Sequence, residues 1–301
     1  MKDPYLLHMF NPTRNVSPFD VNMAYEAEYD SVIPYDEVTL DDIHMLTQDT
    51  IFSRGPTGVK RTSIFIGGRS FGLAIDMLNR ARAAMVPPFE ISVFADPSGA
   101  ITTAAAMIAC IELWVKNKTG DSLEGKSVHI IGGTGPVGVC AGIIAANCGA
   151  DVYLISSRGF DVAQEFAEEN NGKFHVNMKG GDGSTEESLN KMIKSAEIVI
   201  GSAKTGLQVL SRAQLEMAEN LIIAADANAV PPLGIEGVEV HDMGKELDFT
   251  PSKAVGIGAL AMGNVKYKVH YRMFELMKES DKALYLDHDE AFKVAREYVA
   301  K

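Results

Sequence analysis

The 301-residue chain is poor in cysteine, in tryptophan and in basic charge. Its three cysteines, Cys110, Cys140 and Cys148, are odd in number, sit in apolar sequence, and form neither a CxxC pair nor a Cys/His cluster of zinc spacing. That excludes a disulfide framework, predicts no metal site, and leaves buried reduced thiols of a cytoplasmic protein as the expectation. Lys and Arg number 28 against 40 Asp and Glu, a net charge of −12. A chain this acidic is repelled by nucleic acid and by anionic lipid, so neither is expected as a partner; a local basic pocket for a small anionic cofactor remains compatible. No uninterrupted apolar run approaches the ~20 residues that span a bilayer, and Met1 to Asn11 lacks the basic-then-apolar pattern of a secretory leader. No repeat or low-complexity tract is present.

What is present alternates. Residues 62–66 form a short apolar, β-branched run that stops at Gly67-Gly68. A helical pattern follows over 71–85 and ends before Pro87-Pro88, where a helix cannot easily continue. Residues 90–95 read as the next strand, Asp96-Pro97-Ser98-Gly99 as a turn, and 102–118 as a long alanine-rich helix. The polar stretch 118–125 suggests a domain boundary. Beyond it the spacing predicts strands at 127–131, 151–155, 196–201 and 221–225, with helices at 137–147 and 161–170. Strands and helices in this alternation specify an α/β fold with an open, doubly wound parallel sheet. Residues 264–277 and 288–300 read as closing helices.

The chemistry is concentrated in one turn. Val128-His129-Ile130-Ile131 runs into Gly132-Gly133-Thr134-Gly135-Pro136-Val137-Gly138, which holds G-x-G-x-x-G at Gly133, Gly135 and Gly138. The match follows an apolar strand, opens a helix and precedes another strand, which is the context a dinucleotide fingerprint needs. Gly133 is expected to make the tight turn, Gly135 to let the backbone approach the pyrophosphate, and Gly138 to let helix and strand pack closely. The helix N-terminus then offers N–H groups and a positive dipole to the phosphates. The tip of the next strand carries Ser156-Ser157-Arg158 in place of the carboxylate that holds the ribose of NAD. A carboxylate there would repel a 2′-phosphate whereas Arg158 can pair with it, so NADP is the expected cofactor, with NAD admissible. Two further stretches follow strands at the carboxyl edge of the sheet, where ligands gather: Ala203 and Lys204 after 196–201, and Asp226 and Asn228 after 221–225.

With these segments in view, the chain resembles the methylene-tetrahydromethanopterin dehydrogenases of methylotrophic bacteria, some of which also accept methylene-tetrahydrofolate. The resemblance runs over nearly the whole chain. It is carried by Pro18-Phe19-Asp20-Val21, Ile64-Phe65-Ile66-Gly67-Gly68, Asp96-Pro97-Ser98-Gly99 with Thr102-Thr103-Ala104-Ala105-Ala106, and the glycine turn. It continues through Asp226-Ala227-Asn228 with Pro231-Pro232-Leu233-Gly234-Ile235, and Gly258-Ala259-Leu260 with Val265-Lys266-Tyr267-Lys268-Val269-His270. The resemblance implies a substrate domain over 1–120, completed by the helices of 264–301, and a Rossmann-type NAD(P) domain over 121–263, with pterin and nicotinamide face to face in a cleft. It implies hydride transfer from the methylene bridge to the nicotinamide, and a homo-oligomer. By similarity Lys266 matches the active-site lysine, and Phe19, Asp20, Asp96, Thr102 and Thr103 match substrate-side positions. Of the two residues that follow in the lysine block, Lys268 and His270, only His270 shares a helical face with Lys266.

The residues alone reach an NAD(P) oxidoreductase. A shikimate- or folate-type NADP dehydrogenase shares the turn, as does a non-catalytic dinucleotide sensor. The folate bifunctional enzymes carry a tyrosine-to-lysine pair near the N-terminus. Here Tyr25 and Tyr29 have no lysine four residues on, which weighs against that version.

Overall fold

The computed structural model describes residues 3–300. The chain divides into two compact units, one running up to Thr102 and taking in Tyr267–Val294, the other comprising Thr103–Lys266 and the residues from Ala295 on. The first unit begins β1 (Leu6–Phe10), α1 (Pro18–Glu26), β2 (Ser31–Tyr35), α2 (Asp42–Phe52), α3 (Pro56–Val59), β3 (Thr62–Ile66), α4 (Phe71–Ala83) and β4 (Ser92–Ala95). A 3-10 turn over Pro97–Gly99 opens α5 (Ala100–Thr119). The polar stretch at 118–125 marks the end of that helix. The division by packing comes earlier, at Thr102, because helix composition changes at its solvent end and not where packing partners change.

The second unit holds β5 (Ser127–Ile131), α6 (Pro136–Asn147), β6 (Asp151–Ser156), α7 (Phe160–Phe174), β7 (Lys179–Asp182) and α8 (Glu186–Lys194). It continues with β8 (Ile198–Gly201), α9 (Arg212–Glu216), β9 (Ile223–Asp226), β10 (Met243–Glu246) and β11 (Val255–Ile257). Helix α10 (Ala259–Glu279), β12 (Tyr285–Leu286) and α11 (His288–Val299) complete the chain.

In the first unit the strand order is β12-β4-β3-β1-β2, with every pairing parallel. Every residue of β3 and β4 is buried, as expected for parallel strands covered on both faces. The chain steps from β1 to β2 and then back past β1 to β3. The order therefore reverses between β1 and β3, and the crevice at their carboxyl ends is where such a sheet binds ligands.

In the second unit the order is β10-β11-β9-β8-β5-β6-β7, parallel except for the short edge strand β10. Leaving β10 aside, this is the doubly wound dinucleotide order, and it reverses between β5 and β8. Ile131, Ile155, Val199, Leu210 and Ile235 are buried together in one of its core clusters. Strand β7 (Lys-Gly-Gly-Asp) has no β-branched or aromatic signal in sequence. Its glycines let α7 lie directly on it, since a Cβ at Gly180 would collide with the backbone of Gln164.

Helix α5 departs from the expectation that no segment is apolar enough to cross a bilayer. Over Pro97–Thr119 an 18-residue window reaches a mean hydropathy of 1.5, and 72% of that window is buried within the fold. Two lysines and a glutamate near its end hide this when only unbroken apolar runs are counted. The helix fills a core.

Candidate functional site

The glycine turn is built as the sequence predicts, with one correction of role. The residue with left-handed backbone is Gly132, at φ +78, and a Cβ there would also lie 2.7 Å from the backbone of Ala203. Gly133 is instead a close-approach position, its added Cβ falling 2.8 Å from Leu154 Cα on β6. The run Gly132-Gly133 made the two roles indistinguishable in sequence. Gly138 behaves as expected, since a Cβ would stand 2.8 Å from both Gly132 O and Gly133 Cα. Gly135 is the N-cap of α6, Pro136 occupies the first turn, and no side chain caps the helix. The N-terminal amides of the helix, including that of Val137, are thus left to a ligand or water.

A cavity of about 320 Å³ opens beside this turn, lined by Gly132, Thr134, Ser156, Ser157, Arg158 and Ala203, with Leu207 and Val209 as an apolar wall. Ser156 Oγ accepts from Arg158 N at 3.1 Å, which bends the chain after β6, and Arg158 Nη2 reaches Thr134 Oγ1 at 3.4 Å. The basic tip of β6 and the glycine turn are therefore one wall. Leu207, which is 54% exposed, was not anticipated; nothing in its local sequence distinguishes it from an ordinary loop leucine.

Lys204 is exposed in the loop after β8. Asp226 and Asn228 form the frame beneath. Asp226 is buried and accepts from Asn228 N at 3.0 Å, Gly234 N at 2.8 Å and Ile235 N at 3.1 Å. Burial raises its carboxyl above the ordinary range, against the opposing pull of those three N–H groups. Asn228 Oδ1 accepts from Gly206 N at 3.1 Å and Val230 N at 3.0 Å, while its Nδ2 donates to Pro232 O at 2.9 Å. Both side chains hold the shape of the loops that follow β8 and β9.

In the first unit, four of the five predicted substrate-side residues come together at the carboxyl edge of the sheet. Asp96 ends β4 and is fully buried. Its Oδ1 accepts from Ile101 N at 2.8 Å and Thr102 N at 3.2 Å, and its Oδ2 accepts from Thr102 Oγ1 at 2.6 Å, so it fixes the start of α5. His270, on α10, is also fully buried, with Nδ1 3.0 Å from Asp96 Oδ2 and Nε2 4.0 Å from Asp20 Oδ1. Asp20 lies in the first turn of α1 and is 3% exposed. Phe19 beside it is 40% exposed and meets the His270 ring edge-on at 5.5 Å. Phe65, Phe94 and Phe274 pack against the remaining faces of that ring.

Thr103, the fifth, is half-buried on α5, one residue beyond Thr102. Lys266 is half-buried on α10, one helical turn before His270, and Lys268 is exposed on the same helix. The sequence signal for His270 was that four-residue spacing, which underweights it.

The two sheets, the reversal point between β5 and β8 and the glycine turn beneath it define a Rossmann-type dinucleotide-binding protein. Comparison with known proteins narrows this. The family model described as the N-terminal part of methylene-tetrahydromethanopterin dehydrogenase matches residues 18–98. An NAD(P)-dependent methylenetetrahydromethanopterin dehydrogenase of Methylorubrum extorquens is 42% identical over 97% of this chain and 98% of its own length. A bifunctional protein MdtA of the same organism is 33% identical over the same shares of each chain. The chain belongs to the methylene-tetrahydromethanopterin dehydrogenase family. Among solved structures, shikimate 5-dehydrogenase from Listeria monocytogenes has a TM-score of 0.52 at 15% identity, covering 90% of this chain and 91% of that one. That likeness speaks to fold alone.

Proposed function

We propose that this protein oxidises methylene-tetrahydromethanopterin to the methenyl form with an NAD(P) cofactor, in one-carbon metabolism. The observation that carries the reading is the 42% identity to a dehydrogenase of that name over 97% of the chain, together with a glycine turn of the dinucleotide type and the cavity beside it. The residues fit the cofactor. The backbone N–H groups of Thr134, Val137 and Gly138 at the uncapped start of α6 suit the pyrophosphate, while those of Gly133 and Gly135 hold the turn by donating to Ile155 O and Gly132 O, and Pro136 has none. Ser156, Ser157 and Arg158 suit the ribose and a 2′-phosphate, and Ala203, Lys204, Asp226 and Asn228 supply or support the loops of the nicotinamide side. When bound, the cofactor accepts a hydride, so the chain needs no nucleophile of its own.

What the chain supplies is alignment and a suitable electrostatic setting. Phe19 offers an exposed ring for a pterin face, and Asp20 an acceptor for its amino-pyrimidine donors. Asp96 and Thr102 fix the start of α5, Thr103 follows on that helix, and Lys266 is the candidate catalytic residue, hydrogen-bonding the pterin. On this reading residues 1–120 with 264–301 serve the carrier and 121–263 the cofactor. A cytoplasmic, homo-oligomeric protein without nucleic-acid or membrane partners completes the proposal. The net charge of −12 supports the absence of nucleic-acid and membrane partners and the three cysteines outside any disulfide support the cytoplasm; the homo-oligomer follows from the resemblance alone.

The test is spectrophotometric: methylene-tetrahydromethanopterin and methylene-tetrahydrofolate, each with NAD and with NADP. Reduced nicotinamide is expected with the methanopterin carrier. Absence of turnover with both carriers overturns the reading, and turnover with the folate alone reassigns the substrate.

A further inference from the structure

An exposed arginine on a loop ordinarily samples many rotamers, and a charge that is ordered only at the moment of binding loses part of what the contact returns. Arg158 is exposed at the tip of β6, yet it is held at three points. Its backbone N–H donates to Oγ of the buried Ser156 at 3.1 Å. Gly159 N and Gly183 N both donate to Ser156 O, at 3.2 and 3.0 Å, so the turn that carries Arg158 is tied to the residue that follows β7. At the far end of the side chain, Nη2 donates to Thr134 Oγ1 at 3.4 Å. The third point is Phe166, half-buried on α7, whose ring centroid lies 5.8 Å from the guanidinium carbon, within cation–π reach. Thr134 takes one of the five guanidinium N–H groups, and among the described residues the others have no acceptor. The cavity lined by Thr134, Ser157 and Arg158 thus meets its ligand with a cation whose place is set beforehand.

We propose that Thr134 and Phe166 are positioning residues for Arg158, and that through it they set how strongly this protein prefers a 2′-phosphorylated dinucleotide over the unphosphorylated one. This rests on the reading of the cofactor under Proposed function. A phenyl ring offers a phosphate no hydrogen bond, so Phe166 acts only through the arginine, whose positive charge suits the negative face of the ring. The Thr134 hydroxyl accepts from a different part of the same group. Two contacts on one guanidinium restrict both its place and its tilt, which a bidentate contact with phosphate requires. An unphosphorylated ribose makes no use of that order, so the pair separates NADP from NAD while leaving the pyrophosphate to the glycine turn.

The experiment is a double-mutant cycle read by titration calorimetry of the full chain with NADP and with NAD, which needs neither carrier nor turnover. The quantity followed is the ratio of the two dissociation constants. Thr134→Val keeps the backbone N–H and removes only the hydroxyl, and Phe166→Leu keeps an apolar side chain and removes the ring. Each is expected to reduce the preference for NADP about threefold to tenfold, the size of one cation–π contact or one hydrogen bond to a charged group. In an Arg158→Ala background neither should reduce it further, and Thr134→Ser and Phe166→Tyr should stay within about twofold of wild type. Affinity lost equally for NADP and NAD, or a change in the ratio that persists in full without Arg158, would mark a packing role and overturn the proposal. So would wild-type protein that binds both dinucleotides and is not weakened towards NADP when Arg158 is removed. Wild-type protein that binds neither dinucleotide counts against the reading of function itself.

Discussion

Arg158 Nη2 stands 3.4 Å from Thr134 Oγ1, so the guanidinium at the tip of β6 is already aimed across the glycine turn. A phosphate on the 2′ position of the adenosine ribose would meet a planar, permanently charged group there, and an unphosphorylated ribose would use only the serines. Arg158→Ala is expected to raise KM for NADP at least about tenfold while changing KM for NAD less than about threefold, as steady-state rates with each cofactor will show. Equal effects on both cofactors would remove Arg158 from the phosphate site.

Gly138 is the second point of control. A methyl group there meets two backbone atoms at 2.8 Å, neither of which can rotate aside. Gly138→Ala should push α6 off the turn, weakening dinucleotide binding more than about tenfold and costing about 1–3 kcal/mol of stability. Isothermal titration and denaturant unfolding read the two effects separately. Unchanged affinity would mean that the amides of α6 do not carry the pyrophosphate.

Asp226→Ala removes the acceptor of three buried N–H groups without touching the cavity lining. The cost expected is about 2–4 kcal/mol in folding stability, since unsatisfied buried donors are expensive. Saturating NADP should recover part of it by mass action. An unfolding midpoint equal to wild type would show that the loop finds other partners.

Acid should loosen the second unit through His129. This histidine is 1% exposed, neither ring nitrogen has a partner among the described residues, and its ring lies 4.7 Å from that of Tyr153. Burial lowers it from 6.5 to about 4. Between those values the unfolded chain binds the proton and the folded one does not, so stability falls as pH drops through the window, by about 3 kcal/mol at most. His129→Leu should flatten that slope in urea titrations run from pH 7.5 to 4.5. An unaltered slope would place the acid sensitivity elsewhere.

Much of this architecture was legible because burial on both faces writes itself into sequence. Thr62–Ile66 and Ser127–Ile131 are found where the apolar runs place them, and the glycine turn sits between strand and helix as its motif requires. Legibility failed where conformation and packing depend on partners distant in sequence. Gly132 and Gly133 differ in role because one meets Ala203 and the other Leu154. His270 looked secondary to Lys266 because the two carboxylates that flank it lie about 174 and 250 residues away in the chain, a pairing no local pattern announces. Asp226 read as a ligand contact by its position after a strand, and only its three backbone donors reveal a framing duty.

The joint made by Asn228 has a chemical vulnerability. Its oxygen receives two backbone N–H groups while its nitrogen gives to Pro232 O. Spontaneous loss of ammonia would replace that donor with a second acceptor and set two oxygens against each other. A single hydrolysed amide would thus spring apart the two loops it fastens, so ageing of a stored preparation should surface first as a slow decline in cofactor affinity rather than as aggregation.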